Sequence, residues 1–196
     1  MSGSLPALPG FASLDVSGIS GSYSTISQSS RRNSRKSNYH LWELTIVYPV
    51  MTVAEFRPVW AFINSQFGKF DTFTVPAYDN PLGVASGSPI VSSSTINTVT
   101  ISGANLSVTG WLKAGDVVSF TGGTKLYMVT ADVNSDASGF AIIPVYPDLM
   151  STPGIGSAAS ITNAAYTVSL KNKIQKFNAS IGGFYRFEID VIESLT

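Results

Sequence analysis

Apolar and polar residues alternate with a period of two in several short runs and with a helical period in one. The chain therefore reads as mainly β with a single helix. The cleanest alternation lies near the C-terminus: Tyr185, Phe187, Ile189 and Val191 point one way, while Arg186, Glu188 and Asp190 point the other. In residues 41–48, Trp42, Leu44, Ile46 and Tyr48 share one face, opposite Leu41, Glu43, Thr45 and Val47. Both faces are largely apolar, which predicts a central strand covered on both sides. Weaker alternation over residues 23–29 suggests a partner for 39–48 in a long hairpin with a basic loop at its tip. Residues 69–75 and 166–170 read as further strands, joined to the closing strand in one sheet.

The single helix follows residues 41–48. Thr52 and Glu55 have the spacing of a capping box, in which each side chain serves the other's exposed amide. Val53, Phe56, Val59, Trp60, Ile63 and Phe67 then recur at helical spacing and predict one apolar face, with Gly68 placed to end it. Pro58 lacks the amide that an interior helical position needs, so either the helix kinks there or its regular part starts near it, and the kink-free late start is expected.

Pro76 and Asp79-Asn80-Pro81 break regular structure, and a long, polar, nearly uncharged middle follows. Short β-type runs at 95–101, 117–120, 125–130 and 140–146 are separated by Gly-, Asp- and Ser-rich turns, the spacing of a small barrel or sandwich. The organisation this predicts has three parts. Residues 1–21 form an arm without regular structure, 22–79 with 165–196 form a discontinuous β-sandwich with one flanking helix, and 80–164 form an inserted β-module.

Composition sharpens this picture at three points. Charged residues make up only 12 % of the 196, about half the usual ~25 %, which leaves few charges to oppose self-association. Net charge is zero, yet Arg31, Arg32, Arg35 and Lys36 place four of the twelve basic residues within six positions. Cysteine is absent, which removes disulfides, thiolate nucleophiles and sulfur-bound metal. No signal-peptide pattern and no apolar run of the ~20 residues needed to cross a bilayer is present, so a protein made in a cytosol-like environment without membrane partners is expected.

Candidate chemistry is sparse. His40 is the only histidine and reads as a half-buried strand residue; no Gly-x-Ser-x-Gly elbow accompanies it. Asp132, Asn134 and Asp136 alternate as in a calcium loop, but Ala137 and Ile143 stand where such a loop needs glycine and glutamate, so a hairpin turn is the better account. Arg31–Lys36 fits four roles: a loop meeting acidic groups on a neighbouring subunit, a nucleic-acid patch, a loop facing a channel that nucleic acid traverses, or a solvated loop. Trp111, Tyr127 and Tyr146 could form a sugar-stacking platform or the core of the small barrel. No phosphate cradle, catalytic carboxylate pair or metal cluster is legible, so neither a cofactor nor an enzymatic activity is expected.

Several of these segments together resemble a known family. The basic run Arg31–Lys36, Trp42-Glu43-Leu44, Tyr48-Pro49, Met51-Thr52-Val53-Ala54-Glu55-Phe56, residues 70–75 and the ending Phe184-Tyr185-Arg186-Phe187-Glu188-Ile189-Asp190 are similar to bacteriophage tail proteins of the distal-tail, baseplate and tube-end kind. Leu112-Lys113-Ala114-Gly115-Asp116, Lys125-Leu126-Tyr127-Met128-Val129-Thr130-Ala131-Asp132 and the stretch to Pro147 resemble a β-module of phage structural proteins. The resemblance implies a β-sandwich with one flanking helix, assembled as a hexameric ring around the tail axis of a virion. It also implies other tail and baseplate proteins as partners, DNA passing transiently through the lumen, and an insert facing outward. On this reading Arg31, Arg32, Arg35 and Lys36 lie at a subunit interface or the lumen. The alternative is a carbohydrate or host-surface binding module of a virion.

Overall fold

The computed structural model describes residues 3–77, 81–180 and 182–195. In chain order the elements are β1 (Gly3–Ser4), β2 (Ser13–Ile26), β3 (Arg32–Val47), α1 (Val53–Ser65), β4 (Phe73–Pro76), β5 (Gly87–Ser94) and β6 (Thr98–Ala104). There follow β7 (Val117–Phe120), β8 (Leu126–Val129), β9 (Ala141–Tyr146), β10 (Ala159–Ser160), β11 (Ala165–Leu170), β12 (Phe177–Ser180) and β13 (Phe184–Glu193). The mainly β class with one helix stands. The strands form a seven-stranded sheet in the order β1-β4-β11-β13-β3-β2, with β12 beside β13, and a six-stranded sheet in the order β10-β7-β8-β9-β6-β5. The chain divides into two compact units, the first running to Phe73 and resuming at Val168–Glu193, the second comprising Thr74–Thr167 with Ser194 and Leu195. The expected boundary at Asp79 and Asn80 lies outside the described residues.

In the first unit β13 pairs antiparallel with β3, Ile189 opposite Ile46 and Val191 opposite Leu44. All four side chains are buried, as the alternation requires. The other face of β3 is only partly covered. There Thr45 donates to Asp190 Oδ1 at 2.8 Å, and Lys171 forms an ion pair with Glu43. Expectation of a strand buried on both sides is thus corrected: Glu43 and Thr45 turn the second face into a polar network. Beyond β3, Met51 bridges to Tyr185 and leads into α1.

The helix begins at Val53, with Pro58 inside it, not near Pro58 as the sequence suggested. The Glu55 carboxylate accepts both the amide and the hydroxyl of Thr52 at 2.8 Å, which fixes the first turn before the proline is reached. Ala54 and Pro58 lie on the exposed side, so the carbonyl that loses its partner faces water. Phe56, Val59 and Ile63 form the buried face, with Phe56 stacked on Tyr185 at 4.5 Å and Trp60 set edge-on to Phe187 at 5.6 Å. Phe67 lies off this face, because the helix ends at Ser65 and Phe67 takes a positive φ of 50° in the exposed turn that follows. The strand expected at 69–75 shortens to β4 for the same reason, and Phe70 is exposed.

The expected arm is corrected from Ser13 onward. Residues Ser13–Ile26 form β2, paired along β3 from Ser13 opposite Val47 to Ile26 opposite Arg32. Its Ser- and Gly-rich sequence carries little apolar alternation, and the backbone ladder holds it. Ahead of it, Leu5 is buried and Phe11 packs edge-on to Tyr48 at 5.9 Å. Gly18 lies close against two rings: an added Cβ would stand 3.1 Å from His40 Nε2 and 3.3 Å from Trp42 Cζ3, so these rings, which meet edge-on at 4.6 Å, must give by a few tenths of an ångström to admit it.

In the second unit the six-stranded sheet nearly closes into a barrel. Val91 of β5 takes part in two backbone hydrogen bonds, donating to Ser157 at 2.9 Å and accepting from Gly156 at 2.8 Å, and Ile90 bridges to Ala158 just before β10. Val99, Ile101, Trp111, Leu112, Val118, Val129 and Ile143 fill its interior.

Two outcomes test this account. Gly18→Val should destabilise the protein by about 1–3 kcal/mol in urea unfolding, the usual range for overpacking, although strand propensity alone favours valine. The Thr52 hydrogen bonds hold the Glu55 carboxyl below its ordinary value. Its contribution is therefore present above the unfolded-state value and lost as pH falls through the folded one. Glu55→Gln should flatten that acid limb of the stability–pH curve and leave neutral-pH helicity by circular dichroism near wild type.

Candidate assembly surface

The distal half of the β2–β3 hairpin gathers the basic residues singled out in the sequence. Its loop is short: the Ser27 amide donates to Arg31 O at 2.9 Å, the Arg31 amide donates to Ser27 Oγ at 3.3 Å, and Ser30 supplies the positive φ of 59°. Only Arg31 precedes β3, so the expected basic loop is largely a basic strand. Side chains on a strand alternate, which puts Arg32 and Lys36 on one face with Ile26, and Arg35 on the other with Tyr23. The structure therefore brings these residues to one tip but splits them between two faces. All four are exposed.

Apolar side chains share the tip. Tyr23 and Ile26 are 73 % and 75 % exposed, and Tyr39 is half exposed. The backbone is open as well. β13 pairs with β3 only from Glu43 to Val47, whereas β2 pairs with β3 out to Arg32. Among the described residues, Arg32–Leu41 thus belongs to a two-stranded ribbon. At the point where β13 ends, Glu193 Oε2 accepts the Trp42 amide at 3.1 Å. Among the described residues, the part of β3 before Trp42 has β2 as its one neighbour, and β2 is the edge of its sheet. Sequence reasoning missed this edge because β2 carries no apolar pattern.

The remaining candidates are structural. His40 is buried against Trp42 rather than half-buried. Trp111 and Tyr127 are core residues of the second unit, which removes the stacking platform proposed for them with Tyr146. Asp132 accepts Lys113 Nζ at 2.7 Å and the Ala114 amide at 3.1 Å, Asn134 accepts the Gly110 amide at 2.7 Å, and Asp136 accepts the amides of Ser138 and Phe140. The oxygens that resemble a calcium loop are each spent on a different turn. Asp116, 4 % exposed, had no signal of its own and proves central: its carboxylate accepts the amides of Leu82, Gly83 and Lys113. Among the described residues no three acidic or histidine side chains converge on a metal-binding point. None of the described helices is long and apolar enough to cross a membrane.

The nearly closed barrel coincides with a known module. Residues 79–164 match the family described as distal tail protein pb9, B domain. That likeness supports a bacteriophage distal-tail protein. The match takes in a little under half of the 196 residues, and among curated proteins none matches the chain. A structural role in the phage tail, and with it a place in the virion, follows for a protein carrying a distal-tail B domain.

Asp116→Ala should leave three loop amides without their acceptor in a partly buried site. We expect a loss of about 3 kcal/mol or more by chemical denaturation, together with faster amide exchange at Leu82, Gly83 and Lys113.

Proposed function

We propose that this protein is a non-enzymatic ring subunit at the distal end of the tail, a homo-oligomer that joins the tail tube to the tip. The observation that carries this reading is the open ribbon at the end of the β2–β3 hairpin. A two-stranded ribbon is marginal in water by itself, and a long unguarded edge is a template for another strand. β2 has no proline and no lysine among its fourteen residues, two of the devices that monomeric proteins place on such edges, and a single register irregularity at Ser20–Ser22. Pairing with the same sheet of a neighbour satisfies the edge and buries Tyr23 and Ile26.

The hairpin edge and its partner surface are different parts of the subunit, so the contact is head-to-tail and closes into a ring when the rotation per subunit permits. Six copies is the order implied by the resemblance to tail proteins. On this reading residues 80–164 are an insert into a core domain, directed outward to other baseplate parts or the host. Arg31, Arg32, Arg35 and Lys36 set register between neighbours, or face a lumen through which DNA passes in transit. The modest total charge favours a ring at the tail tip over a long DNA-lined tube.

Arg32 and Arg35 lie on opposite faces of the ribbon, so reversing both perturbs either contact. The double variant R32E/R35E should shift purified protein from rings to smaller species in native mass spectrometry and negative-stain microscopy, with circular dichroism unchanged. Rings of wild-type number and stability in this variant would remove the basic tip from the assembly mechanism.

A further inference from the structure

The first unit exposes a strip of large apolar side chains away from the hairpin. Phe67 and Phe70, in the turn after α1, are 79 % and 83 % exposed, and Ile174, between β11 and β12, is 75 % exposed. The two segments lie together: a Cβ added at Gly68 would stand 3.7 Å from the Lys173 backbone. Phe177 of β12, half-exposed, meets Trp60 of α1 at 4.9 Å and lines a hollow of about 630 Å3 with Pro49 and the exposed Val50. These side chains offer on the order of 500 Å2 of apolar surface. That is more than half of the ~800 Å2 that one partner contributes to a standard interface.

The turn holds its rings outward. Its ends are tied by the Phe67 amide donating to Asn64 O at 3.3 Å and the Asp71 amide donating to Gln66 O at 3.1 Å. Phe67 takes a left-handed φ of 50°, which costs a bulky residue on the order of 1–3 kcal/mol. Folding gains little from a strained residue whose ring stays in water, so the exposure itself calls for an occupant. Charge selects it. Lys69, Lys173, Lys176 and Arg186 border the strip, are exposed, and form no ion pair among the described residues. Of the nearby carboxylates, Asp190 accepts Thr45 and Asn172, and Asp71 is engaged within the subunit. That leaves Glu188 against four cations. A second copy fits poorly, because its hairpin tip and its own strip carry the same sign. A bilayer fits poorly as well: a flat surface does not fill the hollow beside Phe177, whereas one protruding side chain does.

We propose that this strip docks an acidic amphipathic segment of a different protein. Its apolar anchors lie on Phe67, Phe70 and Ile174 and enter the hollow beside Phe177, while its carboxylates face Lys69, Lys173, Lys176 and Arg186. Another tail component is the natural source of such a segment, and to that extent the inference rests on the tail-protein reading. The strip uses no residue of the hairpin, so its failure and a failure of ring assembly are read separately.

Fluorescence anisotropy on the full chain tests it with three probes. These are a labelled helical peptide with leucine on one face and glutamate on the other, the same peptide with lysine for glutamate, and labelled phosphatidylglycerol vesicles. The glutamate peptide should bind at least about tenfold tighter than the lysine peptide, and high salt should narrow that difference. The double variant F67S/F70S should weaken the glutamate peptide at least about tenfold, with circular dichroism and oligomeric mass unchanged, since both rings are exposed. K69E/K173E should reverse the preference between the two peptides. No binding of either peptide, equal binding of both, or an unchanged preference in K69E/K173E would each overturn the proposal. Vesicle binding that F67S/F70S abolishes would overturn it in favour of a membrane, and a loss of oligomeric mass in that variant would do so in favour of a second copy.

Discussion

The first unit depends on the backbone ladder of β13. Three strands use it: β3 along residues 188–192, β11 along 191–193 and β12 along 184–187. No other strand brings together segments so far apart in sequence, with Thr45 and Asp190 hydrogen-bonded across a separation of 145 residues. Such a closure is slow to find, because the entropy of the loop is lost before any contact forms. Its equilibrium cost grows only with the logarithm of loop length, about 0.6 kcal/mol for each doubling. A compact module can therefore occupy the intervening chain without defeating the pairing, provided the ladder and its buried Leu44, Ile46, Ile189 and Val191 are intact.

What could be read in the sequence follows from which force holds each element. β13 and α1 are held by apolar burial, and apolar burial leaves a period: the alternation of Tyr185 to Val191 and the helical spacing of Phe56, Val59 and Ile63 were both legible. β2 and β5 are held mainly by their neighbours' backbones. Their sequences, SLDVSGISGSYSTI and GSPIVSSS, carry serine and glycine where a burial pattern would be, so the ladder left almost no trace. Pro58 misled for a related reason. Its cost is real in a buried helix, but here the affected carbonyl faces solvent.

The candidate site shows the same division. The basic cluster at the hairpin tip was visible as composition, while the open edge beside it was not, since edges are a property of topology. Apolar residues of the second unit could not be sorted by sequence into core and surface: Trp111 is wholly enclosed, and Ile142 is mostly exposed. Asp116, Asp132 and Asp136 of that unit tie its loops together. In a module with so few charges, a carboxylate placed against two or three amides holds irregular segments that regular structure does not reach, and Asp116 does so from a buried position.

The carboxylate of Glu193 on the Trp42 amide acts as a vernier for the sheet. Sliding β13 by one residue would turn its apolar side chains outward and is already forbidden. Sliding it by two keeps every face correct, and on apolar grounds alone the two alignments are nearly indistinguishable. A two-residue slip carries the carboxylate about 7 Å along the strand, away from the Trp42 amide that it accepts at 3.1 Å. One side chain at the terminus of a ladder thus adds a polar anchor to the alignment that apolar burial holds.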